Sequence, residues 1–332
     1  MFSLTIWFSF LSVVGAIPGA QFPHATPAPY YDARSNSGSH SKSWINYTAV
    51  PGFFLQDEAT TVPSTFDYTQ WNFGLLNRTY PTDSHASKNT SQWERFEKYH
   101  NAAETYYGTP AWNCYYSEMD GNATVTWADA HLDPNGITQA QKASNYWLSR
   151  IQLQNIPLPQ SYYTSPLYRC LQTSNITFST LPLPKSRPFK PLVKELLREG
   201  ISGHTCDRRS NRTFIHESFP SYKIEKGFLE NDPFWKALEG EISIDQDVRS
   251  KKVLDDVFGS DDHTWLSITS HSGEIASILR VLHHQVFSLV TGSIIPVLVK
   301  AETISGSPTS TSSLPWTTIS TCTSPPANTA TS

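Results

Sequence analysis

Neither sign of charge is in excess. The chain has 332 residues, with 25 Lys and Arg against 29 Asp and Glu, a formal net charge of −4. That balance creates no field to gather nucleic acid or an anionic membrane surface, so neither is expected as a partner. Cysteine is scarce: Cys114, Cys170, Cys206 and Cys322 are the four, and none has the spacing of a zinc site. In an oxidising compartment they allow three full pairings, among which the sequence does not choose, and the alternative is buried thiols. Also absent are Gly-x-Ser-x-Gly, His-Glu-x-x-His, a Walker-type loop and a Gly-x-Gly-x-x-Gly after a strand. Their absence argues against serine-hydrolase, zinc-protease, P-loop and dinucleotide chemistry. Asp261 to His263 ("DDH") and the pair His283-His284 carry metal-capable atoms without a third ligand at metal spacing. No metal and no cofactor is expected.

Long apolar runs are missing too, except at the start. Met1 to Ala20, "MFSLTIWFSFLSVVGAIPGA", is apolar for about fifteen residues and ends in small ones. It is short for a membrane span and fits a cleaved signal peptide over residues 1–20, cut after Ala16 or Gly19, although no Lys or Arg precedes the apolar run. Six Asn-x-Ser/Thr sequons, at Asn46, Asn77, Asn89, Asn122, Asn175 and Asn211, agree with export and N-glycosylation. The expectation is a secreted or extracellular glycoprotein, of the cell wall in one version. The alternative is a cytoplasmic protein if the first segment is not a signal.

Hydrophobic residues make up 38% of the chain and aromatics 13%, enough for a large core. Residues 21–43 are rich in Pro, Ser, Gly and His without an apolar period and read as an irregular extension. Residues 44–303 read as one globular domain. Residues 304–332, Ser/Thr/Pro-rich, read as a disordered tail. In the domain, "GITQAQKASNYWLSRI" has a helical apolar period. "SYYTSPLYRCLQTSNIT" starts as a strand and turns into a helix. "FKPLVKELLREG" reads as a helix on the spacing of Leu192, Val193, Leu196 and Leu197. "TWLSITSHSGEIASILRVL" reads as strand, turn and helix, and "SIIPVLVKAE" as a closing strand. This order predicts an α/β fold, a three-layer α/β/α sandwich on a mainly parallel sheet. In such sheets chemistry gathers at the carboxyl ends of the strands.

Three turns there carry chemistry-capable residues. His271 sits between a strand and a helix among small residues, where helix amides favour an anion and an imidazole can add a hydrogen bond; the plain alternative is a helix cap. Arg169 opens the helix after Ser165-Pro166, and a guanidinium there forks onto phosphate; the alternative is a solvated Arg. Glu199 follows the Leu-rich stretch, and a carboxyl beside a phosphate pocket can be held protonated as a general acid. Arg208, Arg209 and Arg212 read either as helpers for an anionic substrate or, more commonly, as a solvated basic loop.

Five blocks, "WADAHLDPNGITQAQ", "TSPLYRCLQT", "LLREGISGHTCDRRS", "ITSHSGEIASILRVL" and "TGSIIPVLVKAE", come in one order. Together they resemble the phosphoglycerate mutase-like group of the histidine phosphatase superfamily, in its fungal secreted form, from about Trp44 to Ala301. The resemblance implies phosphomonoester hydrolysis of a phosphorylated small molecule. A His of an Arg-His-Gly motif attacks phosphorus, a carboxylic acid protonates the leaving alcohol, and water hydrolyses the phosphohistidine. It implies no metal. Arg169 matches the second pocket Arg, Glu199 the proton donor, His271 the second His, and Asn101 the Asn downstream of the nucleophile loop. His283 stands where a Gly is expected.

Arg-His-Gly itself occurs nowhere. The helix-like "WERFEKY" runs through Tyr99 straight into His100-Asn101, where the family pattern has a strand and the nucleophile loop. An Arg-for-His register at Arg95 offers no nucleophile, and His100 lies too close to Asn101 to copy the motif. Hence the expectations of a fold short of one central strand and of an enzyme inactive as written. A misread or spliced coding region, a non-catalytic pseudophosphatase that binds anionic ligands, and a structural secreted glycoprotein are the competing accounts. Substrate, phosphatase against mutase, and oligomeric state stay open.

Overall fold

A computed structural model describes residues 2–10, 43–52, 54–74, 76, 115–121, 126–154, 156–305, 316–319 and 321–322, the first segment as backbone. The strands are β1 (Phe2–Phe10), β2 (Ser43–Ala49), β3 (Ser161–Thr164), β4 (Leu192–Val193), β5 (Lys223–Ile224), β6 (Glu239–Gly240), β7 (Trp265–Ser270), β8 (Ile294–Ser305) and β9 (Thr317–Thr318). The helices are α1 (Pro134–Gln154), α2 (Tyr168–Phe178), α3 (Arg212–Ser218), α4 (Ser243–Ser260) and α5 (Ser272–Val281). A seven-stranded sheet has the order β2-β8-β1-β7-β3-β4-β5. Its pairs from β1 through β7, β3 and β4 to β5 are parallel, and β8 runs antiparallel to β1 and β2. The fold is the α/β type with a mainly parallel sheet that the alternating elements predict.

Burial explains the elements. In β7, Leu266 through Ser270 are all buried, the near-continuous pattern of a strand covered on both faces. The helices bury stripes at helical spacing: Ala140, Ala143 and Trp147 from α1, Val253, Leu254 and Val257 from α4, and Ile275, Ile278 and Leu279 from α5. α1 packs on α2, and α4 on α5.

The sheet is not short of a central strand. Phe2–Phe10, the apolar heart of the expected leader, lies between β7 and β8. Thr5 to Phe10 pair with Trp265 to Ser270 on one side, and Phe2 to Ser9 pair with Ala301 to Ile294 on the other. Two facing strands with unpaired N–H and C=O groups demand a partner. "FSLTIWFSF", rich in aromatic and β-branched residues, has the composition of one.

Three further readings need correction. "FKPLVKELLREG" is not a helix: Leu192–Val193 form β4 and Glu195–Leu197 a 3-10 turn. Val193 and Leu197 are core residues there, so tertiary burial overrides a short helical spacing. The tail is structured in part, since Thr317–Thr318 pair with Glu239–Gly240. None of the three full cysteine pairings holds. Cys322 is in a disulfide whose partner lies outside the described residues, while Cys170 and Cys206 are buried thiols.

Candidate active site

β3 and β7 are parallel neighbours, with Thr164 beside Thr269. Their outgoing turns therefore lie side by side, one opening α2 and the other α5. His271 caps α5 with extended backbone, and its Nε2 lies 2.7 Å from Ser165 Oγ on the neighbouring turn. The thiol of Cys170 donates to Ser270 O at 3.3 Å and lies 3.4 Å from His271 Nε2. Arg169, in the first turn of α2, is 3% exposed. It donates from Nη1 to Cys206 O at 2.6 Å and from Nη2 to Asp207 Oδ1 at 3.3 Å. Its Nε is buried without a hydrogen-bond partner among the described residues.

Glu199 reaches the same place from the loop after the 3-10 turn. Its carboxylate accepts from the N–H of Gly200 at 2.9 Å, Glu274 at 3.1 Å and Gly273 at 3.4 Å. It therefore sits on the amides that open α5, where a negative group is favoured. A Cβ on residue 273 would run into this carboxylate, so a larger residue there would push Glu199 off the amides. Arg169, Glu199 and His271, predicted as one site, thus come together. Asn101 and His100 lie outside the described residues.

Burial sets the protonation states. It raises Glu199, helped by Asp207 and opposed by the Gly200 amide and Arg169. It lowers His271 well below the usual imidazole range, with Arg169, Arg249 and Arg198 adding to the effect, so this ring is neutral. It raises the Cys170 thiol, which stays protonated.

Around these groups lies a ring of buried ion pairs that motif spacing did not reveal. Arg198 is fully buried and forks onto Asp232 at 2.7 and 2.6 Å. Against burial, that fork holds the Asp232 carboxyl down at about 2. Arg209, read as part of a basic loop, is 3% exposed. It binds both oxygens of Glu195 and stacks on Phe228, so it serves the fold. Arg208 keeps a surface role, paired with Asp120 and lying over Trp235. Arg249 of α4 binds Glu241 and Glu274. The one available signal for α4 was the helical spacing of Val253, Leu254 and Val257.

Burial pushes Glu274 up to about 8 although Arg249 and Ser250 oppose it. Because its folded pKa lies above the ordinary 4.5, its contribution is full below that pH and is lost as pH rises to about 8. Glu274→Gln is expected to flatten the fall in unfolding free energy over that window, by roughly 1.4 kcal/mol for each tenfold difference in proton affinity between the folded and unfolded chain. Urea titrations of both proteins from pH 4 to 9 check this. Parallel slopes would refute it.

Histidine pairs elsewhere have structural partners. His263 Nδ1 lies 2.7 Å from Asp261, His284 Nε2 3.1 Å from Asp57, and His283 Nδ1 2.9 Å from Tyr47 O. Among the described residues, His204, Cys206 and Asp207 bring three metal-capable atoms within 4.8 Å. Both Asp207 oxygens are already engaged there, by Arg169 and Ser202. Of the sequons, Asn46 and Asn175 are half-buried, and Asn211 is exposed with its Oδ1 capping α3 on Phe214 N. Asn77, Asn89 and Asn122 lie outside the described residues.

The α/β sheet thus gathers an Arg, a His and a carboxyl at the carboxyl ends of its strands. The chain belongs to the histidine phosphatase superfamily, whose branch 1 model matches residues 117–291. It is 46% identical over 292 residues to the probable phosphoglycerate mutase of Arthroderma benhamiae, covering 80% of this chain and 87% of the relative. It is 35% identical over 265 residues to phosphomutase-like protein 3 of Candida albicans, covering 77% and 80%. Among solved structures it resembles a phosphoglycerate mutase from Thermus thermophilus at 16% identity, covering 51% of this chain and 80% of that one with a TM-score of 0.30. A mycobacterial glucosyl-3-phosphoglycerate phosphatase matches at 19% identity and TM-score 0.32, covering 54% and 88%.

Proposed function

We propose that this chain binds phosphomonoesters of small molecules at Arg169, His271 and Glu199, and does not hydrolyse them by a phosphohistidine route. The observation that carries the reading is the convergence of these three side chains at the carboxyl ends of β3 and β7, with the Arg169 Nε buried and unpartnered among the described residues. A phosphate there would take the Arg169 Nε and the imidazole of His271, beside the Glu199 carboxyl. Protonated Glu199 would donate to the ester oxygen. The Arg-His-Gly nucleophile is absent from the sequence, and the strand in its expected slot is "FSLTIWFSF".

Calorimetric titration with inorganic phosphate and a simple phosphomonoester tests the binding. Arg169→Ala and His271→Ala should each abolish it. A wild-type chain that binds neither ligand would leave the structural glycoprotein account in its place.

Export to the cell exterior is part of the proposal, supported by the Cys322 disulfide and the six sequons. Cleavage after Ala16 or Gly19 would remove β1. Intact mass of the protein recovered from culture medium shows whether Phe2–Phe10 leaves with the leader.

A further inference from the structure

We propose that Arg249 is the positioning residue for Glu199, holding both the turn that carries this carboxyl and the helix end that receives it. The proposal rests on the reading of the pocket as a phosphomonoester site. Arg249 is 6% exposed and comes from the middle of α4, far along the chain from the turn it serves. Its Nε donates to Glu241 Oε1 at 2.9 Å. Nη1 donates to Leu196 O at 2.7 Å and Arg198 O at 2.9 Å. Nη2 donates to Glu199 O at 3.1 Å and Glu241 Oε2 at 2.8 Å. These bonds engage every N–H of the guanidinium.

The arrangement meets a specific need. Arg198 and Glu199 lie outside helix and strand, so their buried carbonyls have no ladder to join. One planar fork holds three carbonyls of the turn, which a lysine ammonium cannot do in the same geometry. Glu241 adds a second arm, because the carboxylate that grips Arg249 also accepts from Ile201 N at 3.2 Å, just past the turn. The far end is tied as well: Arg249 lies 3.0 Å from the Glu274 carboxylate, and the Glu274 N–H is one of the donors that receive Glu199. No hydrogen bond joins Arg249 to Arg169 or His271 among the described residues. Of the three pocket groups, the one to which Arg249 donates a hydrogen bond is Glu199, at its carbonyl.

Two measurements test this. Arg249→Lys keeps the charge between Glu241 and Glu274 while removing the fork. It should speed amide exchange at Gly273 and Glu274, the amides that Glu199 covers, and leave that of Ala143 in α1 unchanged. Glu241→Gln, loosening the other arm, should move the same two amides. Unchanged exchange at both would overturn the proposal. The second measurement is inorganic phosphate affinity in a double-mutant cycle. Arg249→Lys should cost about tenfold beside Glu199 and under about threefold in a Glu199→Gln background. Equal losses in both backgrounds would mean a general structural role and overturn it. If the wild-type chain binds no phosphate but the exchange result holds, the phosphomonoester reading fails and the hold of Arg249 on Glu199 stands.

Discussion

A chain beginning at residue 21 is expected to lose the sheet described above. β1 pairs with β7 through Thr5–Phe10 on one side and with β8 through Phe2–Ser9 on the other. Removing it strips a ladder from each and exposes two facing strand edges. At about 1 kcal/mol net per backbone hydrogen bond, the loss rivals the roughly 5–15 kcal/mol total stability of a domain. Circular dichroism and thermal melts of residues 21–332 beside the full chain check this. The truncated protein should melt far lower or show no cooperative transition. A gentler lesion, Ile6→Pro, removes one N–H in mid-strand, where proline is excluded from a paired position, and should destabilise in the same direction. If residues 21–332 melt like the full chain, β1 is dispensable and a cleaved leader is compatible with this fold.

Phosphate-ester turnover by the chain as written is expected to lie at the uncatalysed background. Loss of a covalent nucleophile commonly removes several orders of magnitude of rate, on the order of a millionfold in the best-studied hydrolases. Cys170 and His271 carry attacking atoms near Arg169, and each is ill placed for the task. The Cys170 thiol is held protonated by burial, and only its thiolate would attack well. His271 is neutral, but its Nε2 is tied to Ser165 Oγ, and the ring is fully buried as a helix cap. Release of p-nitrophenol from p-nitrophenyl phosphate is the direct measurement. Robust turnover lost on His100→Ala would make His100 a working nucleophile and overturn the expectation. The same loss on His271→Ala would place the nucleophile there. A transcript encoding Arg-His-Gly between Tyr99 and His100 would instead make the chain one form of an active phosphatase.

Much of the site was legible in the sequence because it lies in strand-to-helix turns. "SYYTSPLYRC" and "ITSHSGEI" each show a strand, a small-residue break and a helix, and that local pattern alone places Arg169 and His271 at the same edge of a parallel sheet. Glu199 was legible only through its block, since the stretch before it is a strand and a 3-10 turn rather than the helix its leucines suggest. The buried partners were not legible. Asp207, Arg198 and Arg249 look like surface charges in sequence, and only packing shows that each is paired away from water.

The sequence by itself determined the α/β alternation, the three converging side chains and the absence of Arg-His-Gly, because strand-helix order and motif content are local properties. The tertiary structure places "FSLTIWFSF" between β7 and β8 as β1. A leader and a central strand have the same apolar composition, and no residue-level signal separates them. The distinction lies in two distant strands, Trp265–Ser270 and Ile294–Ser305, whose backbone groups need a partner between them. It likewise decided that Arg249, distant in sequence, governs the turn of Glu199, because only a folded chain brings buried carbonyls within reach of that guanidinium.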